Sequence, residues 1–154
     1  MLTIAIMSEN IFNVRVYGIC LHNKNVLVTD EIRYGKMITK FPGGGLQFGE
    51  GTIACLKREC VEEFGQHVEV KELFYTTDFF QPSAFNSKQQ VISIYYLISV
   101  PHPEEIPVTK KQFNFPEAKE EAQTFRWISV EDSSEDDFTF PIEKKVAELL
   151  KKKY

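Results

Sequence analysis

The sequence predicts an α/β fold in which a mixed β-sheet lies between helices, built as one domain over residues 1–154. Three observations lead there. Strand-patterned runs recur at Phe12–Leu21, Val68–Phe80 and Val91–Val100. Two other stretches, 52–64 and 141–152, place their apolar residues at helical spacing. No linker, repeat or low-complexity tract divides the chain, and 154 residues suffice for a proper core.

The first strand, Phe12–Leu21, sets Val14, Val16 and Gly18 against Arg15 and Tyr17. His22-Asn23-Lys24-Asn25 is a turn, and Val26–Thr29 returns as the hairpin partner. Glu31–Lys40 is polar and reads as a loop, whose Arg33 and Lys36 are solvated charges or phosphate contacts. Pro42 and Gly43-Gly44-Gly45 then open a tight turn where backbone can approach a ligand. A helix is expected from Thr52, read as its N-cap, to Gly65, a C-terminal αL residue. Its buried stripe would be Ile53, Leu56, Cys60 and Phe64, with Cys55 on the surface between Glu59 and Glu62.

Val68–Phe80 is rich in β-formers and gives one or two strands, and Gln81-Pro82 ends it before a polar loop. Val91–Val100 is the most apolar run and predicts a central strand buried on both faces. Residues 101–119 form a long loop, and Phe125–Ile128 a short strand. The acidic stretch Ser129–Asp137 reads as a solvated turn or short helix. Pro141 suits the first turn of a closing helix, with Ile142, Val146, Leu149 and Leu150 as its core stripe. His22, His67 and His102 sit at turns and element ends and read as structural or exposed.

Composition narrows the function classes. With 43% hydrophobic and 26% charged residues, the chain is an ordinary soluble globular protein. A net charge of −4 opposes a nucleic-acid partner, which would call for a basic footprint. No run approaches the roughly 18 apolar residues of a membrane span. The opening MLTIAIMSEN has no basic region ahead of its short apolar run, unlike a signal peptide. Cys20, Cys55 and Cys60 are an odd set without metal-site spacing, so reduced thiols in a cytoplasmic setting are expected. The oligomeric state stays open, a homodimer included.

The chemistry concentrates in Gly44–Gln66, GGLQFGEGTIACLKRECVEEFGQ. At about 100° per residue, Glu59, Glu62 and Glu63 share one arc of the helix, with Glu59 and Glu63 at i, i+4. Carboxylates this close raise one another's pKa unless a cation neutralises them. Oxygen-only ligation points to Mg²⁺ or Mn²⁺ rather than Zn²⁺. Such an ion beside a glycine loop suits a diphosphate, whose charge builds as water attacks phosphorus.

Gly44, Glu50, Arg58, Glu59, Glu62, Glu63 and Gly65 stand at the spacing of the Nudix box, and this stretch resembles that of the Nudix hydrolases. Cys60 is acceptable at one aliphatic position of the box, whereas Gln66 departs at the other. The resemblance implies a Nudix-type α/β/α sandwich and Mg²⁺-dependent hydrolysis of a nucleoside diphosphate linked to a further group X. It implies Glu59 and Glu63 as principal metal ligands, with Glu62 and the Gly44 carbonyl completing the shell. Arg58 would orient Glu59, while Glu50 would hold the loop to the helix, with Gly45 as support.

Family members often carry a further glutamate in a mobile loop. Counting back from Trp127, Glu121 fits best, with Glu120 and Glu117 as alternatives, so the general base is Glu59 or this residue. The loop Pro103–Glu121 has few apolar residues, so it is expected to open cheaply and close over substrate. The layout resembles the compact MutT-type branch, although Glu143 stands about where that branch places a base-reading Asn. Pro82 instead echoes the ADP-ribose pyrophosphatase branch. The substrate is therefore a small nucleotide: a nucleoside triphosphate, an ADP-ribose or a nucleotide sugar. Phe79, Phe80 and Phe85 are core residues or stack on its base. A nucleotide sensor of the same fold, binding without hydrolysis, is the non-enzymatic alternative; it usually lacks a box carboxylate, and here all are present.

Overall fold

A computed structural model describes residues 9–154. The reading of the opening stretch as free of a signal peptide falls mainly on residues 1–8, outside the described residues. The elements run β1 (Ile11–His22), β2 (Asn25–Arg33), β3 (Lys36–Lys40), β4 (Gly43–Gly45), α1 (Thr52–Phe64), β5 (Glu69–Thr76), β6 (Gln89–Ser99), β7 (Gln123–Ser129) and α2 (Pro141–Lys153). Single 3₁₀ turns lie at Pro103–Glu105 and Glu135–Asp137.

The sheet is mixed. Strand order is β3-β2-β1-β6-β5, with β4 also paired to β1 and β7 to β2. Among the strands of the described residues β1 and β6 alone run parallel, in register from Ile11↔Gln89 to Cys20↔Ile98. The side-chain alternation of β1 divides the core in two. Tyr17 and Ile19 face α2, packing with Val28, Phe41, Tyr95, Val146 and Leu150. Val16 and Cys20 face α1, packing with Leu27, Leu56, Cys60, Ile98 and Phe125. One helix therefore covers each side.

What positions the site is a change of partner. β1 pairs with β2 only at Leu21↔Val26 and His22↔Asn25. It then leaves β2 and takes β4 instead, at Arg15↔Gly45 through Tyr17↔Gly43. β2 meanwhile turns to β3, from Thr29↔Lys40 to Arg33↔Lys36. The strands part here, and the gap between them exposes backbone and inward side chains that a continuous sheet would cover.

Several expectations are corrected. Glu31–Lys40 is not a loop: β2 continues to Arg33 and β3 follows. Tyr34 and Gly35 both have positive φ, 48° and 72°, and so make a two-residue hairpin turn whose twist suits the strands. The polar residues tolerate burial because they pair: Glu31 with Lys40, and Asp30 with Arg126. On α1 the buried side chains are Cys55, Leu56 and Cys60, whereas Ile53 is exposed. Cys55 is not a surface residue, because β4 beside it is all glycine and leaves room; its Sγ lies 3.5 Å from the Gly45 carbonyl. The N-cap is Gly51, one residue before Thr52, whose hydroxyl bonds that of Tyr96 at 2.7 Å instead. Gly65 takes the left-handed conformation at φ 73° and donates to the Val61 carbonyl, ending the helix.

β6 has strands on both edges, but much of its surface is only half-buried, because part of one face floors an open cleft. Leu149 is half-buried, and Glu143 and Ala147 join the buried side of α2. The 101–122 connection is pinned in its middle. Phe113 N–H donates to Asp30 at 3.1 Å and Gln112 to Thr39 at 3.0 Å.

Candidate active site

The site is built on the glycine strand. Gly43 has φ 141°, and a Cβ there would sit 2.1 Å from the Val16 carbonyl oxygen, so only glycine allows β4 to lie against β1. A Cβ on Gly44 would lie 2.6 Å from the Glu59 carboxyl carbon, so the missing side chain is the space that Glu59 occupies. Gly43 N–H donates to Glu63 at 3.0 Å. Glu59 and Glu63, one helical turn apart on α1, thus meet two successive residues of the strand.

Arg58 ties the loop to the helix. Its Nε and Nη2 form a fork on Glu50 at 3.0 and 2.7 Å. Nη1 donates to Glu59 at 3.0 Å and to both Glu62 oxygens at 3.3 Å, and Nη2 reaches the Gly45 carbonyl at 3.3 Å. These hydrogen bonds hold Glu50 down at about 2, with the Gln47 N–H adding to them. Glu62 is the outermost of the three box glutamates, with 57% of its side chain exposed.

Behind the glycines lies a charge network contributed by β2 and β3. Buried Lys40 reaches Glu31 at 3.0 Å, the Gly43 carbonyl at 3.2 Å and Glu63 at 3.9 Å. Burial alone would raise Glu31, but Lys40, Arg33 and Thr29 more than offset it and bring it to about 2. Gln123 bridges Glu31 and Glu63 at 2.9 and 3.2 Å. Glu63 moves the other way, to about 7: burial dominates, Lys40 and Gln123 oppose it, and the negative charges of Glu31 and Glu59 offset part of their help. A carboxylate so placed is one that a bound cation would favour. The carboxylate oxygens of Glu59 and Glu63 beside the glycine strand are a donor set that fits a hard divalent ion.

A cleft of about 490 Å³ opens from these residues. Arg15, Arg33, Lys40, Glu31, Glu59 and Glu63 line it, together with Tyr34, Pro82, Phe85, Phe140 and Glu143. Phe85 packs on Tyr34 and Phe140 with ring centroids 4.9 and 5.9 Å away. Glu143 is buried on α2; its Oε2 and the Tyr95 hydroxyl have no hydrogen-bond partner among the described residues. Phe79 and Phe80 do not line the cleft.

The loop glutamates sit around the β2–β3 turn. Glu120 accepts from the N–H groups of Tyr34 and Gly35. Glu121 is largely exposed, and its carboxylate lies 3.5 Å from Arg33 Nη1 at the cleft's edge. Glu117 is exposed and pairs with Lys119 at 3.4 Å. A different trio, His102, Glu104 and Glu105, brings ligand atoms within 4.8 Å of one another, which the box glutamates as a trio do not. All three of its members are exposed and lie outside the cleft.

Sequence reasoning missed Arg15, Tyr17, Glu31, Lys40 and Gln123 as site residues. Arg15 and Tyr17 looked like the outer face of a strand, and Glu31 and Lys40 like loop charges. The available signal was an alternation in Thr29–Arg33 that the hairpin turn at Tyr34-Gly35 completes.

Solved structures share this architecture. One, MutT from the psychrophilic fish pathogen Aliivibrio salmonicida and the mesophile Vibrio cholerae, is 19% identical at TM-score 0.63, covering 93% of this chain and 99% of its own. MutT protein from Methanosarcina mazei is 16% identical at TM-score 0.62, covering 94% of each chain. A UDP-X diphosphatase is 15% identical at TM-score 0.59, covering 90% of this chain and 60% of its own. No curated protein matches the sequence. The mixed sheet with its two helices is thus the α/β/α sandwich of these neighbours. The sequence matches the NUDIX domain over residues 12–150, and the chain belongs to the Nudix family, as a pyrophosphohydrolase acting on nucleoside diphosphate derivatives.

Proposed function

We propose that the chain hydrolyses a nucleoside diphosphate linked to X with Mg²⁺ or Mn²⁺, in a cytoplasmic setting that its three free, buried thiols suit. One observation carries the reading. Glu59 and Glu63 converge on the glycine strand in the wall of the same cleft that Arg15 and Arg33 line. Acidic and basic groups facing one cavity suit a metal-bound diphosphate, and each alone would not.

Glu59, Glu63 and the Gly44 carbonyl would hold the ion, with Glu62 at the solvent side. The ion, when bound, would polarise the phosphoryl oxygens and offset charge gathering at phosphorus. Glu59 would take the proton from the attacking water, with Arg58 bonded to its carboxylate and to Glu50. Glu121, beside Arg33 at the cleft's edge, is the further acid on the loop. Lys40 and Gln123 hold Glu63 in line with Gly43.

For X, the likeness to MutT structures and the compact chain support a nucleoside triphosphate. An ADP-ribose or nucleotide-sugar substrate is the second reading, favoured by Gln81 and Pro82 in the cleft wall and by the likeness to a UDP-X diphosphatase. The test is a panel of nucleoside triphosphates, ADP-ribose, nucleotide sugars, dinucleoside polyphosphates and NADH, assayed with Mg²⁺ and with excess chelator. Turnover of at least one, abolished by chelator, is expected. Full activity in chelator would overturn the metal assignment, and binding without turnover of any would return the sensor reading.

A further inference from the structure

We infer that Arg15 is a diphosphate-binding residue of this cleft and that Tyr17 positions it; the inference rests on the nucleotide reading above. Arg15 is half-buried on β1 and lines the cleft beside the glycine strand. The other cations lining the cleft are already matched, Lys40 by Glu31 and Glu63 and Arg33 by Glu31 and Glu121, as is Arg58 outside it by Glu50, Glu59 and Glu62. Arg15 has no carboxylate within 4.0 Å among the described residues. Glu31, Glu59 and Glu143 act on it only from beyond that distance, so the partly desolvated guanidinium keeps donors free for an anion that reaches it.

Geometry indicates which anion. Arg15 Nε donates to the Tyr17 hydroxyl at 2.6 Å, and the guanidinium lies 5.7 Å from the centre of that ring. Tyr17 is itself buried and stacked on Tyr95, with centroids 5.3 Å apart, so its hydroxyl is a fixed anchor. Anchoring Nε leaves Nη1 and Nη2 as an oriented fork, which matches two oxygens of one phosphate better than a point charge does. Nη1 lies 3.6 Å from where a Cβ of Gly45 would be, and the next residue, Gly44, faces Glu59 in the same manner. Successive strand residues face opposite ways, so the fork and the carboxylate proposed to hold the metal meet neighbouring residues of β4 from its two faces, and both line the one cleft. That adjacency fits a second phosphate next to a metal-bound one, and a monophosphate would not use both.

The bland reading is an arginine resting its stem on an aromatic ring, with its charge merely hydrated. Arg15→Gln, Arg15→Lys and Tyr17→Phe separate the two. Binding of methylene diphosphonate, which cannot be hydrolysed at its bridge, is measured by calorimetry in Mg²⁺, alongside KM, kcat and the metal-free thermal midpoint. Arg15→Gln is expected to weaken diphosphonate binding about 10- to 100-fold, the weight of charge-assisted hydrogen bonds. KM should rise at least as much as kcat falls, and the midpoint should hold. Arg15→Lys should recover part of the binding, since charge returns without the fork. Tyr17→Phe should lose about 3- to 10-fold, because the fork is present but no longer aimed. Binding and KM within twofold of the parent for Arg15→Gln would overturn the inference, as would full rescue by lysine for the fork. Failure of the parent to hydrolyse any nucleotide would refute the proposed activity instead, and the diphosphonate measurement would still judge Arg15.

Discussion

Gly44→Ala tests the claim that a missing side chain makes room for a catalytic carboxylate. The added methyl would lie 2.6 Å from the Glu59 carboxyl carbon and 2.6 and 2.7 Å from its oxygens. Carbon atoms settle near 3.5–4.0 Å, so the carboxylate must retreat by about 1 Å. A displacement of that size at a reacting group costs roughly 10²-fold in turnover. Stability should barely change, because Gly44 lies outside the positive-φ region and the obstructing group is the end of a flexible side chain. Gly43→Ala is the matched contrast. There the methyl meets the Val16 carbonyl at 2.1 Å, on backbone with φ 141°. Overpacking and backbone strain add about 1–3 kcal/mol each, so the fold is what fails. Turnover on the best panel substrate and the thermal midpoint in metal-free buffer give the pair of readouts. A Gly44→Ala variant with turnover within threefold of the parent would refute the reasoning, since Glu59 would then have no need of that space.

Three other outcomes follow from the same contacts. Glu59→Gln should lose on the order of 10²–10⁴-fold in turnover and weaken metal binding, while Glu121→Gln lowers turnover with binding kept; parent-like kinetics for Glu121→Gln would leave Glu59 as the sole base. Arg126→Met should destabilise by about 3–5 kcal/mol in urea unfolding, because Asp30, fully buried, would lose its ion-pair partner; a loss below about 1 kcal/mol would mean that Thr39 and Phe113 suffice. Glu143 is raised from 4.5 to about 7, chiefly by burial, so its contribution to stability is complete below about pH 4.5 and is lost as pH rises towards 7. Glu143→Gln should therefore gain on the parent between pH 5 and 8 by a few kcal/mol at most, and equal midpoint differences at the two pH values would refute the buried-acid account.

Local physics carried much of this protein in its sequence. Strand alternation placed β1, the apolar run Val91–Val100 placed β6, and the stripe at helical spacing with Pro141 at its start placed α2, because each signal needs only a few neighbouring residues. The spacing from Gly44 to Gly65 made the glycines and the glutamate helix legible together, although the glycines read as a tight turn and form the strand β4. A helix fixes which side chains share an arc, so Glu59, Glu62 and Glu63 had to lie on one side of it in any fold.

The tertiary structure decided what those arcs face. Glu31 and Lys40 read as loop charges because burial of ions depends on partners that arrive from other strands, and no local pattern announces them. Cys55 went inward because the strand beside it has no side chains, a fact about β4 and not about the helix. Arg15 and Tyr17 looked like an outer face until β1 exchanged β2 for β4 and opened a cleft above them. Pairing between distant segments is non-local, so the partner exchange, the cleft and the residues lining it belong to the fold as a whole.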